Sequence, residues 1–253
     1  MGNYVEVKNI KIGKDLPKIC VPLIIEEDSE VFGILQQLQN KKFDLVEIRI
    51  DYYKNVENIE SVKNLLKVLI ENLKNIPIIF TFRTFKEGGQ KNIDIEYYKN
   101  LNIEAIKTGY IDLIDIEFLL NKDIINNIIL EARKNNVKII ISNHNFNETP
   151  KKEDIIKILC EMQQLNVDLL KIAVMPKNKQ DVLELICATN EMILNYAKVP
   201  LITISMGQIG SISRVIGGMF GSAITFAVAS KFSAPGQIEV TKLSKLINEL
   251  YFL

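Results

Sequence analysis

Lys138-Ile139-Ile140-Ile141-Ser142 and Leu169-Leu170-Lys171-Ile172-Ala173 are short aliphatic runs, and residues 152–164 between them carry apolar side chains at helical spacing. Strand, helix and strand in that order make one crossover unit of roughly 30 residues or more. Working outward, further strands are expected at 19–25, 45–50, 78–82, 110–116, 201–205 and 224–228, and further helices at 61–73, 124–135 and 179–196. Eight strand-helix units in 253 residues predict a (β/α)8 TIM barrel, a fold of ~250 residues. Val5-Glu6-Val7 and Ile10-Lys11-Ile12 alternate with period two around Lys8-Asn9, which reads as a β-hairpin closing the barrel bottom. No Pro-rich, Ser-rich or like-charge linker interrupts the pattern, so residues 1–253 are expected to form one domain. An open doubly wound sheet is the rival, but neither Gly13 nor Gly33 begins the phosphate-binding turn such a fold carries early.

The 31 basic and 31 acidic residues cancel, which argues against the broad positive surface that nucleic acid or an anionic membrane requires. Three widely spaced cysteines and one histidine indicate neither a disulfide framework nor a zinc site, and a reducing cytoplasm fits best. The uncharged run 215–230 contains three glycines and falls short of the ~20 apolar residues of a membrane span. Residues 1–13 lack the apolar core of a signal peptide.

In a barrel, reactive groups collect at the C-terminal strand ends. The second strand ends Glu47-Ile48-Arg49-Ile50-Asp51, and period two places its three charges on one face. The third ends in Arg83 followed by Glu87, the fourth in Asp115-Ile116-Glu117, and the fifth in Ser142-Asn143-His144. One such pair alone would read as an internal salt bridge; several ions in one barrel mouth need compensation by partners or a ligand. Lys171 is the only charge within its strand, and a lysine in apolar surroundings or beside cations loses affinity for its proton and becomes a nucleophilic amine. With a carbonyl substrate it would form a Schiff base, and His144 on the preceding strand is suited to move a proton beside the imine. Only Arg49, Arg83, Arg133 and Arg214 are arginines in a chain that otherwise uses lysine. Arg214 could grip a carboxylate with its fork, whereas Arg133 on a helix needs only a surface role. Ser233-Ala234-Pro235-Gly236-Gln237 is a polar turn suited to a lid. The residues by themselves leave open a Schiff-base enzyme that removes a proton beside the imine, a class I aldolase and a barrel that only binds a carboxylate.

These motifs in this order, together with Lys171-Ile172-Ala173-Val174-Met175-Pro176 and Ser205-Met206-Gly207, resemble the type I 3-dehydroquinate dehydratase family over essentially the whole chain. The resemblance implies a cofactor-free, metal-free barrel, commonly a cytoplasmic homodimer, that converts 3-dehydroquinate to 3-dehydroshikimate in the shikimate pathway of aromatic amino acid biosynthesis. It implies that Lys171 forms the imine, that His144 is the general acid and base, and that Glu87 orients it. It further implies that Arg214 binds the carboxylate and that Glu47, Arg49 and Arg83 meet the ring hydroxyls. Ser233 and Gln237 would close over the substrate, Met206 and Phe226 would form apolar walls, and Asp115 and Glu117 would balance charge. The end at Leu253 leaves no room for a fused shikimate dehydrogenase, so dehydration alone is expected.

Overall fold

The computed structural model describes residues 4–251, so the ends of the expected 1–253 unit lie outside the described residues. A hairpin of β1 (Val5–Val7) and β2 (Ile10–Ile12) comes first, paired Val5 with Ile12 and Val7 with Ile10. Eight barrel strands follow: β3 (Lys18–Leu23), β4 (Leu45–Arg49), β5 (Ile78–Thr81), β6 (Leu113–Glu117), β7 (Lys138–Asn145), β8 (Leu169–Val174), β9 (Leu201–Ser205) and β10 (Ile224–Val228). Between them run α1 (Val31–Leu38), α2 (Ile59–Leu73), α3 (Ile95–Lys107), α4 (Lys122–Lys134), α5 (Lys152–Gln163) and α6 (Lys179–Asn195), then the single turns α7 (Gly207–Gly210) and α8 (Ser213–Ile216). The two-residue β11 (Ile238–Glu239) leads into α9 (Val240–Tyr251).

All the strands of the large sheet are parallel, in the order β11-β10-β3-β4-β5-β6-β7-β8-β9. The ring closes where Leu201 of β9 bridges Ser222 just before β10, with Ala223 donating its N–H to the Leu201 carbonyl at 2.6 Å. The fourth barrel strand begins at Leu113 and not at 110, because sheet pairing with β5 starts only where Leu113 meets Ile79.

Period two sorts the strand side chains into two apolar layers. Outward residues such as Val46, Ile48, Phe80, Ile114, Ile141 and Leu170 pack against the helices. Helix α2 meets them with Val62, Leu65, Leu66, Leu69 and Leu73, a stripe at three- and four-residue spacing. Asn58, Asp94, Asn121 and Asn178 cap the starts of α2, α3, α4 and α6, each contributing about 1 kcal/mol. Inward residues Leu45, Ile79, Leu113, Ile140, Leu169, Ile202 and Ile224 form the second layer. Val7 and Ile12 join that inner cluster, so the hairpin plugs the barrel bottom as its alternation indicates. Among the described residues no helix is long and apolar enough to cross a membrane.

One internal repeat positions the site. Asp44-Leu45-Val46-Glu47, Asp112-Leu113-Ile114-Asp115 and Asp168-Leu169-Leu170-Lys171 open β4, β6 and β8, alternate strands of the barrel. In each the aspartate accepts a backbone N–H from the preceding strand: Ile19 to Asp44 at 2.7 Å, Ile78 to Asp112 at 2.8 Å and Ile139 to Asp168 at 2.8 Å. Each leucine is buried in the inner layer, and the fourth residue points inward one level higher. Alternate strands supply side chains to a common level in such barrels, so Glu47, Asp115 and Lys171 converge.

Candidate active site

The convergence is direct. Lys171 Nζ donates to Asp115 Oδ2 at 2.9 Å and to Glu47 Oε1 at 3.1 Å, and it lies 4.6 Å from the centre of the Phe226 ring on β10. Glu47, Lys171 and Phe226 form the floor of a cavity at the barrel mouth, and Asp115 stands behind Lys171. Lys171 is 4% exposed, which removes the reading of it as a surface lysine.

Its basicity is the reverse of the sequence expectation. Burial alone lowers the pKa of Lys171, but the carboxylates of Asp115 and Glu47 outweigh burial and the Arg83 charge, so its affinity for a proton is raised. The sequence showed one charge in an apolar strand; the two carboxylates come from strands β4 and β6, far away in the chain. Burial likewise pushes Asp115 up, yet Arg83, Lys171 and the Ser142 hydroxyl drive it far below the ordinary carboxylate value. The floor is therefore built to hold a positive charge at Nζ.

Arg83, just beyond β5, ties the floor to the wall. Its guanidinium donates to Asp115 at 2.8 Å, Ser142 at 3.0 Å, Glu117 at 3.1 Å and Glu87 at 3.5 Å. Glu117 is held by the Thr84 N–H at 2.8 Å and the Thr84 hydroxyl at 2.7 Å. Asp115 and Glu117 thus stand behind the cavity as partners of its cations, and neither is among the side chains that line it.

His144 Nδ1 is 2.8 Å from Glu87 Oε2, which also accepts the His144 backbone N–H at 3.0 Å. An oxygen already accepting one N–H favours a second donor, so Nδ1 carries the proton and Nε2 the lone pair. Burial, reinforced by Arg83 and Lys171, holds the imidazole pKa well below its usual value. Burial raises Glu87 to about 8 against the pull of Arg83. As a unit the pair takes up or releases one proton near neutrality, the range a general acid and base requires. Glu87 reaches His144 because Gly88 turns the chain at φ 84° and leaves room for the Phe146 ring, which a Cβ would meet at 2.3 Å.

The remaining arginines divide sharply. Arg49 grips Asp51 with two bonds of 2.9 Å and donates to the Ser233 carbonyl at 3.3 Å. Asp51 does not share the strand face predicted for it, because β4 ends at Arg49 and Ile50–Tyr52 is a short 3-10 turn; its carboxylate folds back under Arg49. Arg133 Nη1 donates to both carboxylate oxygens of Asp168, at 2.8 and 3.0 Å, bracing the barrel bottom. Arg214 is 3% exposed and lines the cavity, yet it donates to the carbonyls of Phe226 at 3.2 Å and Pro235 at 3.0 Å, and its Nε is buried without a partner. Burial lowers its pKa to about 10. Among the described residues no carboxylate lies within ion-pair distance of Arg214.

Above the cavity, Gln237 accepts the N–H groups of Ser233 and Ala234 at 2.9 and 3.3 Å and donates to the Ser233 hydroxyl at 3.0 Å. Gly236, at φ 76°, lets this loop lie on the turn after β9, where a Cβ would approach the Gly207 carbonyl to 2.1 Å. The structure brings Glu47, Arg49, Arg83, Glu87, His144, Lys171, Met206, Arg214, Phe226, Ser233 and Gln237 around one cavity, together with Phe146, Ala173 and Ile204, which sequence reasoning missed. Ala173 was accessible by period two from Lys171, and Ile204 by period two from Met206.

The sequence model of type I 3-dehydroquinase matches residues 19–252. The 3-dehydroquinate dehydratase of Clostridioides difficile strain 630 is 48% identical over 99% of this chain and 98% of its own. The crystal structure of type I 3-dehydroquinate dehydratase from Clostridium difficile, solved with covalently modified comenic acid, superposes with a TM-score of 0.96 over 100% of this chain and 99% of that one, at 48% identity. The 3-dehydroquinate dehydratase structure from Geobacillus kaustophilus gives 0.95 at 34% identity, covering 99% and 97%. With a barrel of this topology and a matching family over nearly its whole length, the chain belongs to the type I 3-dehydroquinases.

Proposed function

We propose that this hydro-lyase dehydrates 3-dehydroquinate to 3-dehydroshikimate through an imine on Lys171. The carrying observation is a buried amine on the cavity floor, with a histidine–carboxylate pair on one wall and an arginine lacking a counter-ion on another. Arg214 receives the C1 carboxylate, and Glu47, Arg49 and the spare N–H groups of Arg83 meet the ring hydroxyls. Ser233 and Gln237 close over the ring, against Met206 and Phe226.

Lys171 gives up its ammonium proton, and the unprotonated Glu87–His144 pair is the acceptor that the site offers; Asp115 is far too weak a base. The amine adds to C3, the carbinolamine loses water, and a protonated imine forms. Its positive charge stays where Asp115 and Glu47 already stabilise one, so the carboxylates that make the free amine scarce favour the next intermediate. Nε2 of His144 removes a proton from C2, and the electron pair flows into the imine to give an enamine. The enamine returns the pair as the C1 hydroxyl leaves, protonated by His144, in a syn elimination. Hydrolysis consumes one water and frees Lys171. The covalently modified comenic acid reported with the Clostridium difficile structure is in keeping with a reactive nucleophile in that relative.

The same reading takes the chain as a single-domain cytoplasmic homodimer serving aromatic amino acid biosynthesis, with no organic cofactor or metal. Incubation with 3-dehydroquinate tests it: ultraviolet absorbance of the conjugated product should grow, and borohydride added during turnover should inactivate the enzyme irreversibly. Trapping of pyruvate or a triose in place of dehydroquinate would point to a class I aldolase.

A further inference from the structure

Two cavities share one wall. Glu87 and His144 line the barrel mouth and also a lateral recess between the loops that follow β5 and β6. Thr84, Asn92, Glu117 and Asn121 give the recess polar edges, so it admits water. The histidine–glutamate hydrogen bond, Nδ1 to Oε2 at 2.8 Å, therefore lies in a wall with the substrate cavity on one side and solvent on the other.

Resting on the imine reading above, we infer that the recess is a proton port for His144. Nε2 takes the proton from C2, Nδ1–H passes to the Glu87 carboxylate, and Glu87 releases that proton to water in the recess. The C2 electron pair stays in the enamine, and the proton returns by the reverse steps. The charged groups facing the relay are Arg83, which donates to Glu87, Glu117 and Asp115, which share that guanidinium, and Lys171 and Arg49, whose charges also act on His144. Burial that raises Glu87 to about 8 gives the relay a carrier able to hold a proton at neutral pH. The port separates proton exchange from the imine, which water in the mouth would hydrolyse early.

The test is turnover of 3-dehydroquinate in D2O, with deuterium at C2 of recovered substrate compared with product formed. Wild type should place deuterium at C2 above the enzyme-free rate. Asn92→Trp and Ile95→Trp fill the recess without touching the mouth, and because the chain has no tryptophan, emission shows whether the indole is buried there. With a buried indole the exchange-to-turnover ratio should fall about tenfold, while borohydride trapping persists. Absence of exchange in wild type, or an unchanged ratio in both variants, would overturn the port. Failure of borohydride trapping in wild type is a separate result that overturns the imine beneath it.

Discussion

Strands β4, β6 and β8 carry charged residues at both ends and use them in opposite ways. At the bottom, Asp44, Asp112 and Asp168 each accept a fixed backbone N–H, and Lys8 and Arg133 add cations to two of them. Three residues later in each strand, Glu47, Asp115 and Lys171 meet one another across the barrel. Bottom charges are satisfied by the sheet itself, so they stabilise. Top charges are satisfied by other side chains and by whatever enters the mouth, so their balance changes with the ligand.

Substitutions at the two ends should separate these roles. The largest effect is expected for Lys171→Met, which should lower turnover by at least ~10^4-fold with the folded circular dichroism spectrum retained; measurable turnover in this variant would break the contrast. His144→Ala should reduce kcat by about 10^2 to 10^4-fold while covalent adduct still accumulates, as intact-protein mass after borohydride would show. Asp115→Asn should lower kcat by ~10^2-fold through loss of the charge facing the imine. Its counterpart at the bottom, Asp168→Asn, should lower stability by about 1–2 kcal/mol in urea melts and leave kcat/KM within about twofold. Equal kinetic losses from both would show that the two ends are not distinct. Arg214→Gln should lower kcat/KM by about 10 to 100-fold through the lost charge-assisted bonds.

The smallest effect concerns pH. Glu87 titrates near 4.5 unfolded and about 8 folded, so between those values the folded enzyme binds the extra proton. That stability is fully present below the unfolded value and declines as pH rises through the folded one, with a slope of up to ~1.4 kcal/mol per unit. The lowered pKa of His144 acts oppositely below its unfolded value, where acidification protonates only the unfolded chain. The window between the unfolded histidine value and about 8 therefore isolates Glu87, and Glu87→Gln should flatten the stability profile there. An unaltered slope would assign the proton elsewhere.

The barrel was legible because period-two runs and helical stretches alternate without interruption, and the hairpin because Val7 and Ile12 fall on one face. Most of the site was legible because strand ends concentrate charge. What escaped was set by contacts distant in sequence. Nothing beside Lys171 in the chain reveals Asp115 and Glu47, so its basicity was read with the wrong sign. The 3-10 turn that folds Asp51 beneath Arg49 interrupts a strand pattern that the residues alone would continue. The Asp-Leu repeat was present in the sequence, yet its meaning depends on β4, β6 and β8 being alternate strands of a closed ring.

The central claim is that the charge held at Nζ of Lys171 becomes that of an imine. Peptide mass spectrometry of the enzyme reduced with borohydride during turnover of 3-dehydroquinate tests it most directly. A reduced substrate or product adduct should appear on Lys171 and be absent without ligand. Unmodified Lys171 in enzyme that is forming the conjugated product would contradict the account.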